Sequence, residues 1–183
     1  MTNNNSASPL NVAFQGEPGA YSEAALIEYF GVKTTAIGKL RFEDVFEAVE
    51  TGSCDYGFIP IENSLAGSIH RNYDLLREHE LHIIGETTLR VRHCLIAAPG
   101  ATMEKLRKIT SQPQALDQGS GYVNRWEGGM QIEQVCDTAG AVKQLAETRN
   151  QTTASIASRR AAEIYGMHIL VELARALPRV NFL

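Results

Sequence analysis

From Val12 onward, short runs of β-branched and aromatic residues alternate with stretches whose apolar positions recur at helical spacing, a pattern that predicts a sheet covered by helices. NVAFQG reads as a first buried strand. SEAALIEYFG follows as a helix, with Ser22 as a candidate cap, Glu23 suited to the positive first turn and Gly31 to a left-handed stop. In RFEDVFEAVETG the residues Phe42, Val45, Phe46 and Val49 share one helical face ahead of Gly52. YGFIPI is a strand in which Pro60 must sit where its missing N–H does no harm. SIHRNYDLLREHE then places Ile69, Tyr73 and Leu76 along a helical stripe. LHIIGETTLRVRHCLIAA is extended for long enough to form one or two strands and to pass between two lobes.

The rhythm repeats in the second half: TMEKLRK helical, ITS extended, PQALDQ helical, MQIEQV extended, TAGAVKQLAET helical, TASIA extended, SRRAAEIYG helical and MHILVE extended. RWEGG is a turn between elements, with Trp126 as its anchor. No repeat of fixed period and no low-complexity tract breaks this order. The opening MTNNNSASPL reads as a frayed tail, without the charged and apolar regions of a secretory signal or the Arg-rich character of a transit peptide.

Composition narrows the class. A chain of 183 residues can hold one large domain or two small lobes, and 44% apolar with 21% charged residues is the balance of a globular protein. A net charge of −4, with no clustered Lys or Arg, argues against a general nucleic-acid binder. The longest apolar runs fall well short of the roughly 20 residues a bilayer-crossing helix needs, so no membrane span is expected. Cys54, Cys94 and Cys136 are isolated and odd in number, which predicts neither a disulfide framework nor a zinc knuckle and fits a reducing compartment. His79, His82 and His93 lack ligand spacing, so no metal is expected. His93 and Cys94 point to opposite faces of a strand and cannot act as a base and nucleophile pair.

Three strand-to-helix junctions carry candidate chemistry. They are GEPGAYSEAA with Gly16 and Gly19, SQPQALDQ with Ser111 and Gln118 bracketing a helix start, and VCDTAGAV, where Asp137 or Thr138 can cap. Each alone reads as a plain turn or cap. Together they matter more, because helix N-termini at the carboxyl ends of strands gather anionic ligands in open α/β folds. Arg159 and Arg160 read as a solvated helix face. Glu62, Asn63 and Ser64 stand apart: a strand that ends in a carboxylate, an amide and a hydroxyl sends donors and acceptors toward the same crevice. The plain alternative is a turn with local side-chain caps.

These stretches resemble the prephenate dehydratase family. VAFQGEPGAYSEAA is similar to its glycine-rich opening and FEDVFEAVETGSCDYGFIPIENSLAGSIHRNYDLL to its longest signature. SQPQALDQ matches its Ser-x-Pro-Gln-x-x-x-Gln motif, and DTAGAVKQLAE with ASIASRRAAEIYGMHIL its later helices; the likeness runs from about Val12 to Val171. Ala20 with Tyr21, and Asp137-Thr138-Ala139-Gly140, look closest to the plant-type branch, which includes arogenate dehydratases.

The resemblance implies an α/β, two-lobed fold similar to type-II periplasmic binding proteins, with a cleft between lobes. A disordered tail over residues 1–10 would precede a catalytic domain over 11–183, with lobe one at about 11–92 and lobe two at about 93–171. It further implies a cytosolic lyase of phenylalanine biosynthesis that converts prephenate to phenylpyruvate, carbon dioxide and water, with arogenate as the alternative substrate. Aromatisation drives that reaction, so no cofactor or metal is called for. The expected partners are the small-molecule substrate and a second copy in a homodimer, with no nucleic acid and no membrane.

Carried over by position, the family's site falls on Glu62, Asn63, Ser64 and Gln118, with Ser111 contacting a carboxylate. Glu62 either orders these groups or supplies a proton. The turn at Pro18, Gly19 and Ala20 and the helix start at Thr138, Ala139 and Gly140 would offer N–H groups to the dianion. The family continues into Asn-x-Thr-Arg-Phe, whose Thr is regarded as a central hydroxyl and whose strand returns to the first lobe; this chain reads LARALPRVNFL instead. Residues 172–183 are therefore expected to be an atypical tail, with a short helix around Leu173, Ala174, Ala176 and Leu177, a sheet edge left unpaired and no regulatory domain. A two-lobed protein that binds an aromatic acid without turning it over is the second reading.

Overall fold

The computed structural model describes residues 9–116, 118, 129–135, 137–173 and 178–183. Strand β1 (Asn11–Gln15) lies between β2 (Thr35–Lys39) and β3 (Tyr56–Phe58) in a parallel sheet, crossed over by α1 (Tyr21–Phe30) and α2 (Phe42–Glu50). Because side chains alternate along a strand, Val12 and Phe14 pack with Ala25 and Leu26 of α1, while Ala13 packs with Val45 and Phe46 of α2. Both faces are thus buried, as a parallel sheet requires.

YGFIPI does not form one strand. It breaks at Ile59, so that β4 (Pro60–Asn63) joins a different, antiparallel sheet with β5 (Gly67–Ser68), β6 (Thr87–Arg90) and β12 (Arg179–Phe182), in the order β5-β4-β12-β6. Pro60 is the first residue of β4, and the adjoining ladder bonds come instead from Ile59 and Leu183, which exchange N–H···O contacts of 2.9 Å in both directions. The third sheet runs β11-β7-β10-β8-β9, from β7 (His93–Ala97), β8 (Lys108–Ser111), β9 (Gln131–Gln134), β10 (Thr153–Ala157) and β11 (His168–Leu173). Helices α4 (Thr138–Thr148) and α5 (Arg159–Tyr165) cover its Cys94 and Ile96 face, and Leu95 and Ala97 face a second cluster with Ile109 and Ile156.

The long extended segment forms two strands, within what its length allows: it divides at residues 91–92 into β6 and β7, which belong to different sheets. Several other expectations change. Helix α1 starts at Tyr21 with Ala20 as its N-cap, so Ser22 lies in the first turn and does not cap. On α3 (His70–Glu78) the buried positions are Asn72 and Leu75, whereas Tyr73 is exposed. The rotation follows from a hydrogen bond of 2.7 Å that Asn72 Nδ2 donates to the Pro60 carbonyl, which draws a polar residue inward. TMEKLRK yields only a 3₁₀ turn, Met103–Lys105. Trp126 with residues 125–128 of the expected RWEGG turn, residues 1–8 of the expected tail and positions 174–177 of the expected short helix lie outside the described residues; Leu173 ends β11.

The largest correction concerns the tail. No open edge is left beside β4, because β12 fills the place between β4 and β6, pairing Val180 with Asn63 on one side and Leu89 on the other. Its own alternation explains this. Arg179 and Asn181 are exposed while Val180 and Phe182 are buried, the period of a strand, and that local pattern outweighs the missing motif.

Candidate functional site

Side chains from both halves of the chain enclose a cavity of about 210 Å³. Tyr21 and Ser22 reach it from the first turn of α1, Asn63 from the end of β4, His93 from the start of β7, Gln118 from the helical stretch after β8, and Thr138 from the first turn of α4. Val91, Val180 and Phe182 supply an apolar wall. The first N–H groups of a helix have no acceptor within it and carry the positive end of its dipole. Ala20 offers α1 no side-chain cap, so its first turn is left to other acceptors. Three helix starts meeting one cavity form an environment for anions.

Asn63 spends its carbonyl locally. Its Oδ1 accepts from Leu65 N at 3.0 Å and Ala66 N at 3.3 Å, which turns the chain after β4 and leaves Nδ2, a donor, without a hydrogen bond among the described residues. Gln118 Oε1 lies 2.7 Å from His93 Nε2, and His93 Nδ1 lies 2.7 Å from the Tyr21 hydroxyl, which is also 3.1 Å from the Arg92 carbonyl. Burial pushes the His93 pKa below the usual histidine value, partly opposed by its bond to Gln118. Burial also pushes the Tyr21 hydroxyl well above the usual tyrosine value. At neutral pH both groups are uncharged.

Of the positions carried over by resemblance, Asn63, Gln118 and Thr138 meet at this cavity and the others do not line it. Glu62 is exposed on the opposite side of β4. Ser64 Oγ accepts from Arg179 N at 3.0 Å and so anchors the start of β12. Ser111 is fully buried and donates to the Ile156 carbonyl at 2.5 Å, so its hydroxyl proton is committed inside the sheet. Ala139 is in the core, and Gly140 N donates to the capping carboxylate of Asp137 at 2.5 Å. Pro18 is exposed and Ala20 half-buried, outside the cavity lining.

Gly19 is held from two sides. Its N–H donates to Glu23 Oε2 at 2.5 Å, and its carbonyl accepts from Ser158 Oγ at 2.6 Å. Only glycine fits: φ is +92°, and a Cβ would lie 2.7 Å from Ala161 Cα. The other Glu23 oxygen accepts from Arg160 Nη2 at 2.8 Å, so a buried carboxylate ties the turn to α5. Arg160→Ala should therefore cost about 2 kcal/mol in urea denaturation, below the 3–5 kcal/mol for breaking a fully buried pair because Arg160 is 36% exposed. Adding Glu23→Gln should recover part of the loss; strict additivity would dissolve the pairing.

Two residues of the cavity carry chemistry that residue-by-residue reading passed over. Sequence spacing speaks of His93 only as a metal ligand or a base for Cys94, and of Tyr21 only as a mark of one family branch. The available signal was positional: His93 is the polar residue that opens the apolar run of β7, and Tyr21 is the first residue of a helix after a glycine turn.

A family model described as prephenate dehydratase matches residues 12–175. Arogenate dehydratase 3, chloroplastic, of Arabidopsis thaliana is 50% identical over 163 residues, covering 89% of this chain and 38% of that protein. The chain therefore spans about two fifths of the length of the curated relatives it matches. Among solved structures, GqqA, described as a novel type of quorum quenching acylase, superposes with a TM-score of 0.86 at 34% identity, over 94% of this chain and 62% of that one. The prephenate dehydratase of Arthrobacter aurescens in complex with L-Phe superposes with a TM-score of 0.84 at 24% identity, over 94% and 59%. The two-lobed α/β architecture is thereby the fold of this chain. The cytoplasmic expectation is overturned, since four Arabidopsis relatives at 47–50% identity are named chloroplastic. Compartment is dictated by targeting segments, and a fold and its cavity carry no imprint of it.

Proposed function

Because the chain belongs to the prephenate dehydratase family, we propose that its cavity binds prephenate and catalyses the decarboxylative dehydration that yields phenylpyruvate. The electron pair of the bond to the ring carboxylate passes into the ring as carbon dioxide leaves. The ring hydroxyl departs with one proton as water. Aromatisation supplies the driving force, so the site's tasks are to hold a dianion, deliver that proton and leave the departing carboxylate poorly stabilised. The single observation supporting this reading is that Asn63 and Gln118, from distant segments, face one cavity together with three helix starts. Such preorganised donors act where charge develops.

The donor set in this proposal is Asn63 Nδ2, the Gln118 amide and the first-turn N–H groups at Tyr21, Ser22 and Thr138. Val91, Val180 and Phe182 face the ring. Ser111 and Glu62 are left as supporting groups, since one is committed to Ile156 and the other points outward. Lobes of about 11–92 and 93–171 belong to the same proposal, amended so that 179–182 complete the first. So does a homodimer, which light scattering would read. Arogenate is the second substrate to measure, because curated relatives are named arogenate dehydratase.

Turnover of prephenate and arogenate, followed beside calorimetry with phenylpyruvate, tests the reading. Product from at least one substrate supports it. Binding without product points to a protein that closes on aromatic acids, and neither binding nor product overturns it. One substitution addresses the departure from the family motif. Val180 is buried in β12 and faces the cavity, and threonine matches its shape while replacing a methyl with a hydroxyl. Val180→Thr should raise kcat by about 10²-fold, the lower end for a positioned proton donor; an unchanged rate would place the missing hydroxyl elsewhere.

A further inference from the structure

We infer that Tyr21 and His93 are positioning residues that fix which end of the Gln118 amide faces the cavity, an assignment that rests on the function proposed above. A neutral imidazole has one donor nitrogen and one acceptor nitrogen. Two self-consistent arrangements of the chain Tyr21–His93–Gln118 therefore exist. In the first, the Tyr21 hydroxyl donates to His93 Nδ1, so Nε2 carries the proton and donates to Gln118 Oε1, and the Gln118 NH₂ is turned to the cavity. In the second, Tyr21 donates to the Arg92 carbonyl, Nδ1–H donates to the tyrosine oxygen, and Nε2 becomes an acceptor. Gln118 must then flip, presenting its carbonyl oxygen to the cavity.

The Gln118 atom beside the ring selects the first arrangement, because Oε1 can only accept and so requires the proton on Nε2, which leaves Nδ1 to accept from the Tyr21 hydroxyl. The hydroxyl is 2.7 Å from Nδ1 and 3.1 Å from the Arg92 carbonyl, and Gln118 Oε1 sits 2.7 Å from Nε2. The edge-on stacking of the two rings, with centroids 5.4 Å apart and planes at 77°, keeps the imidazole aligned for both bonds. The consequence for a dianion is large. An NH₂ group stabilises a carboxylate, whereas a carbonyl oxygen repels it, so one hydroxyl proton on Tyr21 sets the polarity of a group two bonds away along the chain. A histidine orients its partners by the nitrogen that carries the proton, and Tyr21 decides which nitrogen that is.

The test uses ¹⁵N NMR of the imidazole in the full chain, with Tyr21→Phe and His93→Gln as variants. Unprotonated Nδ1 and protonated Nε2 at neutral pH are expected in the parent chain; the opposite tautomer, or an imidazolium, would overturn the inference. Tyr21→Phe should relax the tautomer and raise KM about tenfold with kcat less affected, as for one lost hydrogen bond to a charged group. Phenylpyruvate affinity, measured by calorimetry, should fall in step. An unaltered tautomer and unaltered KM in Tyr21→Phe would sink the inference. His93→Gln, which can still donate to Gln118 Oε1, should retain more affinity than His93→Ala; equal losses in the two would also count against it. Absence of turnover on either substrate would refute the proposed function instead, and the NMR readout would still decide the tautomer.

Discussion

Asn63→Ala and Gln118→Ala are each expected to lower kcat/KM at least tenfold, toward the 10²–10³-fold seen when one preorganised donor to a developing anion is removed. The two differ in what else they disturb. Asn63 Oδ1 organises the turn through Leu65 N and Ala66 N, so its alanine variant loses both a donor and a turn. Asn63→Asp separates the two effects, because it keeps the acceptor that shapes the turn while replacing the cavity donor with a negative charge. Its kcat/KM should fall at least as far as that of Asn63→Ala while its melting temperature stays closer to the parent. Gln118→Ala frees His93 Nε2 as well, so its effect should not add to that of Tyr21→Phe. Parent-like rates in both alanine variants, with folding intact by circular dichroism, would remove these residues from the site.

The second large effect is on stability. Phe182→Ala should cost about 3–5 kcal/mol in urea denaturation, the range for deleting a buried aromatic side chain. Phe182 is 1% exposed and stacks on Phe58 with centroids 4.9 Å apart and planes at 15°, joining β12 to the core beneath β1. Deleting residues 179–183 altogether should be worse, because it uncovers the edges of both β4 and β6 and invites association through them. A loss below 1 kcal/mol for Phe182→Ala would mean that β12 is a loosely held appendage.

Much of the fold was legible because burial is periodic. β1, β7 and β10 read as apolar runs buried on both faces, and α2 as a clean stripe, so element type followed from side-chain spacing alone. What failed was non-local. The break at Ile59 comes from a ladder shared with Leu183, and the inward turn of Asn72 comes from the Pro60 carbonyl; neither partner is near in sequence. β12 differs in the opposite way: its alternation is local, with Val180 and Phe182 inward, but four residues become a strand only between β4 and β6. The site divides similarly. Resemblance marked Asn63, Gln118 and Thr138, which share the cavity, but it also marked Ser111 and Gly140, whose polar groups are used by Ile156 and Asp137. His93 and Tyr21 act through each other, and no single position announces a pair.

The placement of β12 bears on how the chain is made. Because residues 179–182 complete a sheet whose other members lie within residues 60–90, that sheet stays unfinished on the ribosome until translation has passed the whole of the intervening α/β unit. Closing so long a loop is entropically slow, and the folding of one half waits on the synthesis of the other. Nascent chains stalled before this strand would display two sticky borders to chaperones.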